Sequence, residues 1–381
     1  MNGPAFAAAL AAGPDWGQAA KACLDRLSVP AGANLGFLYV TDHLAEDIGS
    51  ILTLLKAVTG VRDWVGAVGI GICGTAGDGA AELFDEPGIA VLVARLPDDS
   101  WRVFPAVTGG LDGFREDVAR WRRSRPPLPG PRVGIVHADP RHRGLDALLP
   151  RLAGEAGGFL MGGLVSSRGT IAHVGGAVQQ EGVSGVLLDG AVSVATGVAQ
   201  GCAPIGPEHV VTEAAENVIH AIDGRRAFSV FREEIGELLA RDMRRIDGYI
   251  YAALPVPGRG ADDYLVRNIV RADPIAGWVA VGEAVAPGQP VRFCRRDPAF
   301  ALAELERMAA ETTARLPVKP RGALYVSCVA RGPSLFGGTA RGELETIARA
   351  LPGVPLAGFF ASGEISHSRL YGYSGVLTLL G

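Results

Sequence analysis

The chain has 381 residues, 48% of them hydrophobic and 20% charged, with a formal net charge of −4. That is enough apolar material for one large core or two ordinary ones, and it excludes general disorder. The slight acidic balance leaves no basic footprint for nucleic acid and no polybasic signal for an anionic membrane, so a small neutral or polar partner is the open class.

The N-terminal stretch is Ala-rich but lacks the positive and continuous apolar regions of a signal peptide. Trp16, Ala20, Cys23, Leu24 and Leu27 fall on one helical face instead. No run reaches the length needed to cross a bilayer. The five cysteines are an odd number without CxxC spacing and read as free thiols in a reducing compartment. A cytoplasmic location is the expectation.

Further along, a module recurs. "GAVGIG" (66–71), "GFLMGG" (158–163) and "GFFASG" (358–363) share a G-x-x-x-x-G frame. Upstream of each lies a β-rich run ending in a polar residue, Asp42, Asp139 or Cys328. Between run and frame, apolar residues recur at i, i+3, i+4, i+7: Ile48, Ile51, Leu52, Leu55; Leu145, Leu148, Leu149, Leu152; Leu344, Ile347, Ala348, Leu351. Each set is one face of an amphipathic helix. Downstream of each frame comes another apolar run. A helix between two strands favours a parallel pair with a right-handed crossover, and the trailing strand can return antiparallel.

The predicted fold class is therefore α/β, or mixed α+β: internally repeated strand-helix-strand-strand modules forming mixed sheets covered by helices. Residues 206–316 read as a fourth, degenerate copy. Within them lie the strand-like runs "DGYIYAAL", "YLVRNIVRAD", "GWVAVGE" and "QPVRFCRRD", and a helix opening at Asp297-Pro298 that carries Phe300, Leu305 and Met308. Pro/Gly-rich breaks at 125–131, 203–207 and 254–260 read as turns or linkers. The main boundary is placed near Gly206, giving domains 1–205 and 206–381.

Chemistry-bearing motifs are few. "GIGICG" (69–74) matches G-x-G-x-x-G, but a strand-like run follows it where a dinucleotide site needs a long helix. No P-loop and no G-x-S-x-G elbow occurs. The seven histidines form no HxxxH or HxH pair, so neither a metal nor a cofactor is expected. Cys328 ends a strand, where α/β folds place functional groups, and reads either as a buried structural thiol or as a nucleophile lacking a base fixed by spacing. Arg331 either grips a carboxylate bidentately or stands as a loop charge in water. Asp42 and Asp139 either orient a ligand amine or cap the following helix. Glu364 has no counterpart in the other frames, where Ile72 and Leu164 align with it, and this marks it for recognition.

The C-terminal "LAGFFASGEISHSRLYGYSGVLTLLG" resembles the closing signature of the FIST family, a Gly-rich GEI segment followed by a V-L-T-L strand. "QGCAPIGPEHVVTEAAENVIHAIDGRRAFSVF" (200–231), "LVRNIVRADP" with "GQPVRFCRRDP" (265–298) and "LYVSCVARGPSLFG" (324–337) are similar to the same family, in the same order. The first half resembles the FIST N-terminal domain more loosely, and "GIGICG" stands where the family more often ends a small-residue turn in Gly-Glu. The resemblance implies a small-ligand sensory module for amino acids or similar metabolites. It implies too a signalling protein partner in trans, with no nucleic acid and no membrane.

The expected site gathers Cys328, Arg331, Ser362, Gly363, Glu364, Asp42, Asp139, Gly71 and Cys73, with glycine turns letting backbone N–H groups approach a ligand carboxylate. Two rivals stand beside this expectation. One is an enzyme using Cys328 or Glu364 in acyl-transfer or acid/base chemistry, and the other a structural or interaction protein without a ligand.

Overall fold

The computed structural model describes residues 5–77, 79–124, 130, 132–236, 246, 248–258, 263–337 and 342–381. Three copies of one supersecondary pattern follow each other. The first runs β1 (Phe6–Ala12), α1 (Trp16–Arg26), β2 (Leu35–Thr41), α2 (Ile48–Thr59), β3 (Asp63–Gly69), β4 (Gly71–Ala76), β5 (Gly79–Phe84) and β6 (Gly88–Ala94). The second runs β7 (Trp101–Val107), α3 (Asp112–Arg123), β8 (Arg132–Ala138), α4 (Leu145–Ala156), β9 (Gly158–Leu164), β10 (His173–Gly175), β11 (Ala177–Gln179) and β12 (Val183–Leu188).

The third copy opens with β13 (Val194–Gln200). An insertion follows, holding β14 (Cys202–Ala215), β15 (Val218–Ile222), β16 (Arg225–Arg226), α5 (Ala227–Ile235), β17 (Ile250–Pro255), β18 (Tyr264–Ala272), β19 (Val279–Val281) and β20 (Pro290–Arg296). The copy then resumes with α6 (Pro298–Arg315), β21 (Gly322–Cys328), α7 (Gly332–Phe336), α8 (Gly342–Ala350), β22 (Leu356–Ala361), β23 (Glu364–Ser366), β24 (Arg369–Tyr371) and β25 (Ser374–Leu380).

The predicted parallel pairs form, β2 with β3, β8 with β9 and β21 with β22. Each trailing strand returns antiparallel to the first of its pair: β6 on β2, β12 on β8, β25 on β21. The helical faces read from spacing are the buried ones, with Ala348 only half-buried. α2 and α4 stop at Gly60 and Gly157, which take the left-handed conformation that releases the chain into the next strand.

The strand leaving each glycine turn does not fold back on its own copy. β4 pairs with β22 of the third copy, β10 with β3 of the first, and β23 with β9 of the second. The three mixed sheets therefore read β1-β6-β2-β3-β10-β11, β7-β12-β8-β9-β23-β24 and β13-β25-β21-β22-β4-β5, a cyclic exchange in which each copy completes the sheet of another. At the junction, Tyr39, His137 and Phe359, one from each copy, pack together. The Tyr39 ring stacks on Phe359 at 5.1 Å and meets His137 edge-on at 5.5 Å.

Several expectations need correction. Residues 206–316 are no fourth copy: the four strand-like runs belong to the insertion, whereas the helix at 298–315 is the third-copy equivalent of α1 and α3. The compact units are 1–199 with 302–370 and 374–381, and 200–301 with 371–373. They do not divide at residue 206, because β13 precedes the insertion and its sheet is completed by strands that follow it. Gly206, read as a boundary, lies inside β14 at a register irregularity between Ile205 and His209, so 203–207 is a bulged strand rather than a linker. Of the break at 125–131 only Gly130 is among the described residues, and the end of the break at 254–260 lies outside them.

The inserted unit is an antiparallel sheet, β14-β20-β17-β18-β19-β15-β16, that closes on itself because the long β14 pairs with both β20 and β15. A core including Phe228, Phe231, Phe293 and Val291 fills it. Cys202 and Cys294 sit on adjacent strands, and none of the five cysteines is in a disulfide.

The glycine frames are also not in one register. Gly66 and Gly358 lie opposite Leu38 and Tyr325, where an added Cβ would fall 1.7 Å from the carbonyl oxygen of each. In the second copy the corresponding residue is Gly162, opposite Val136, whereas Gly158 lies opposite Arg132 at the start of its strand pair, so the second frame begins four residues early.

Candidate functional site

The distinctive chemistry of the larger unit lies at the end of β21. Tyr325 and Ser327 alternate along that strand and so share a face. Both hydroxyls donate to Glu343, on the first turn of α8, with Ser327 Oγ 3.1 Å from each carboxylate oxygen. Arg331, in the turn after β21, donates from Nε to Glu343 Oε1 at 2.7 Å. The two partners are each 1% exposed in their side chains. Burial alone would lower the Arg331 pKa, but the adjacent Glu343 charge outweighs it and raises it.

That ion pair uses only part of the guanidinium. Arg331 Nη1 and Nη2 are buried with no hydrogen-bond partner, beside the Phe336 ring at 5.8 Å. Glu364, in β23, is fully buried. Its Oε2 accepts from the Ser374 amide at 3.1 Å and hydroxyl at 2.7 Å, while Oε1 has no partner. Burial pushes its pKa up to about 8 against the pull of Ser374, the Cys328 thiol and Arg331. Glu82, from β5 of the first copy, has both carboxyl oxygens buried and unpartnered. Burial, reinforced by the Glu343 charge and opposed by Arg331, pushes it up to about 9.

Leaving a buried polar atom unpaired costs about 1–3 kcal/mol, more for a charged one. Five such atoms around one arginine make this the most under-satisfied region among the described residues of that unit. A groove of about 920 Å³ lies elsewhere on the same unit, lined by residues such as Ala9, Thr75, Ala80, Ile347 and Leu351, and none of its lining side chains carries an unpartnered buried polar atom. No group of three or more His, Cys, Asp or Glu among the described residues is arranged to hold a metal ion.

Of the residues singled out from sequence, the fold brings Cys328, Arg331 and Glu364 together. Cys73 borders them, its thiol 3.9 Å from the Tyr325 carbonyl and held in the neutral form chiefly by burial. Gly71 is packed against the Phe84 ring. The turn residues Ser362 and Gly363 are spent on structure: the Ser362 amide donates to the Leu164 carbonyl, and the Gly363 carbonyl accepts from the Leu164 amide.

Asp42 and Asp139 neither face this cluster's polar groups nor cap a helix. Each carboxylate is clamped by an arginine side chain and the same arginine's backbone N–H, Arg168 for Asp42 and Arg141 for Asp139. Burial works the other way, but these arginines hold both aspartates below the usual carboxylate range.

The alignment of Glu364 with Ile72 holds, whereas its alignment with Leu164 is corrected. Glu364 lies opposite Gly163, which corresponds to Phe359 and Ala67 in the other two strand pairs, so by partner position Ile72 and His173 stand where it stands. The second copy's turn differs in length, so counting from its frame misplaces the comparison. The carboxyl remains peculiar to the third copy.

Sequence reading missed Glu343, Tyr325, Ser327, Glu82 and Ser374. Polar side chains at alternate positions of an otherwise apolar strand, Tyr325 and Ser327, were the available signal. Glu82 had none, because it arrives through strand exchange.

The FIST N domain model matches residues 34–225 and the FIST C domain model residues 227–367. The chain belongs to the FIST family. An uncharacterized FIST relative from Mycobacterium tuberculosis (strain CDC 1551 / Oshkosh) is 34% identical over 349 residues, 86% of each chain. An uncharacterized protein of Mycobacterium bovis (strain ATCC BAA-935 / AF2122/97) is 32% identical over 361 residues, 91% of this chain and 89% of the relative. FIST domains are described as small-ligand sensory domains of signal transduction. In this FIST chain, no helix among the described residues is long and apolar enough to cross a membrane.

Proposed function

We propose that this protein is a cytoplasmic small-ligand receptor that signals through a protein partner in trans. Its ligand is a carboxylate-bearing metabolite of amino-acid size, held at Arg331. The supporting observation is the pair of buried guanidinium nitrogens, Nη1 and Nη2, that have no acceptor although Nε is engaged by Glu343. A carboxylate offers two oxygens in the geometry of that fork. Glu364 and Glu82 supply the remaining polar contacts, and Tyr325, Ser327 and Glu343 hold the guanidinium in place. A ligand that binds only the folded protein stabilises it by mass action, about 2.7 kcal/mol at a hundredfold excess over Kd.

Thermal shift and calorimetry against small carboxylates provide the test, with Arg331→Lys as the companion variant that keeps the charge and loses the fork. Stabilisation of the wild type that is weakened in that variant is the expected result. Equal stabilisation of both would place the ligand elsewhere.

A further inference from the structure

The atoms left unpartnered around Arg331 also restrict which small carboxylate fits, an inference that rests on the ligand-binding reading above. The cluster holds one guanidinium, Arg331, and three carboxyls: Glu343 from α8, Glu82 from β5 and Glu364 from β23. Around them stand the Tyr325 and Ser327 hydroxyls and Cys328 thiol of β21, the Cys73 thiol of β4, and the Ser374 hydroxyl and amide of β25. Arg331 and Glu343 neutralise each other. Two more carboxylates would then be enclosed without a cation, and enclosed charges of that kind give up their ionisation rather than bear the desolvation cost. The upward displacement of Glu82 and Glu364, to about 9 and about 8, agrees with that count. At neutral pH the unpartnered atoms accordingly offer two guanidinium nitrogens, the O–H of Glu364, and on Glu82 one O–H and one neutral carbonyl oxygen, with no negative charge left over for a cation.

We propose that this site takes a 2-hydroxy or 2-oxo carboxylate in preference to the α-amino acid of the same skeleton. The carboxylate of such a ligand spans Nη1 and Nη2 of Arg331, and its hydroxyl or keto oxygen accepts from the acid O–H of Glu364 or Glu82. An α-ammonium group would find one neutral acceptor, the Glu82 carbonyl oxygen, and no counter-charge, and an enclosed cation without one is costly. It fits only if one of the two acids ionises, so its binding releases a proton. The two ligand classes therefore have opposite pH dependence. Oxyacid affinity falls as Glu364 and Glu82 ionise and repel the ligand carboxylate, while amino-acid affinity rises.

Glycolate and glycine are the smallest isosteric pair that separates the classes, so size does not decide the outcome. Calorimetry on the full chain at about pH 6.5 should show glycolate binding at least about tenfold tighter than glycine. Raising the pH to about 9.5 should weaken glycolate about tenfold or more and strengthen glycine. The Glu82→Gln, Glu364→Gln double variant keeps donors at both positions and cannot ionise, so it should retain glycolate binding and lose the pH dependence. Glycine binding as tightly as glycolate at the lower pH overturns the selectivity, and a pH-independent glycolate affinity in the wild type overturns its proposed cause. If neither probe binds at either pH while other carboxylates stabilise the protein through Arg331, this inference fails and the receptor reading stands; if no carboxylate does so, both fail.

Discussion

The third copy differs from the first two where strand and helix meet, and the difference separates scaffold from chemistry. At the positions of the first parallel strand that face the crossover helix the copies carry Leu38 and Val40, Val136 and Ala138, then Tyr325 and Ser327. Just before the first apolar residue of the crossover helix they carry Asp47, Gly144 and Glu343. His137 of the second copy, which burial holds down at about 3 and therefore neutral, turns to the opposite face with Nε2 3.3 Å from the Tyr39 hydroxyl, so in the first two copies the interior under the helix is built from apolar strand residues. Only the third places an ion pair there and leaves donors and acids unspent around it. A fold that tolerates both an apolar and a polar filling of one interior is specified by its strand pairing and helix faces, and the polar filling is superfluous to that specification.

The comparison breaks most readily at Arg331. Arg331→Met leaves Glu343 as an uncompensated buried carboxylate and should cost about 3–5 kcal/mol, whereas adding Glu343→Leu should recover most of it, since a well-packed apolar pair can replace a buried ion pair. Urea unfolding of the two variants checks this, and a loss below about 1 kcal/mol in the single variant would show that the pair is not enclosed. Next in size is the shared scaffold. Gly66→Ala and Gly358→Ala each drive a Cβ into a neighbouring carbonyl and should destabilise by about 3 kcal/mol alike. Unequal losses would mean the copies are less equivalent than their registers.

The buried acids and the buried imidazole should act on stability with opposite signs. Glu82 and Glu364 have folded pKa values above the unfolded carboxylate value, so their contribution is fully present below about pH 4.5 and is lost as pH rises toward about 8 and 9. Glu364→Gln should therefore raise the Tm by a few degrees at alkaline pH and leave it nearly unchanged in acid, as read by calorimetry. His137 has a lowered pKa, so the protein loses stability as pH falls from about 6.5 toward about 3. Its ring signals in NMR should stay those of a neutral imidazole down to about pH 4.

The smallest effect is expected at the arginine-clamped aspartates. Asp42→Asn and Asp139→Asn should cost about 1 kcal/mol or less, because the arginine in each pair is largely solvated, with 50% and 63% of its side chain exposed. Their contribution is present above the unfolded pKa and disappears as pH falls below about 4.

Local chemistry written in the chain determined the repeated elements. The period-3.6 faces of α2, α4 and α8, the apolar strands β2, β8 and β21 and the antiparallel trailing strands were legible because each is a pattern of near neighbours. Glu364 and Arg331 were visible for a similar reason, as polar residues in apolar or strand-end settings. Tertiary structure alone decided the rest. Strand exchange carries Glu82 from the first copy to Arg331 of the third, and the insertion separates β13 from the strands that complete its sheet. Nothing in a linear pattern encodes which copy a strand will complete, because the alternation that buries its face is the same against any of the three sheets. Whether a polar atom finds a partner depends on groups far apart in sequence, and it is that failure at Arg331, Glu82 and Glu364 that marks the candidate site.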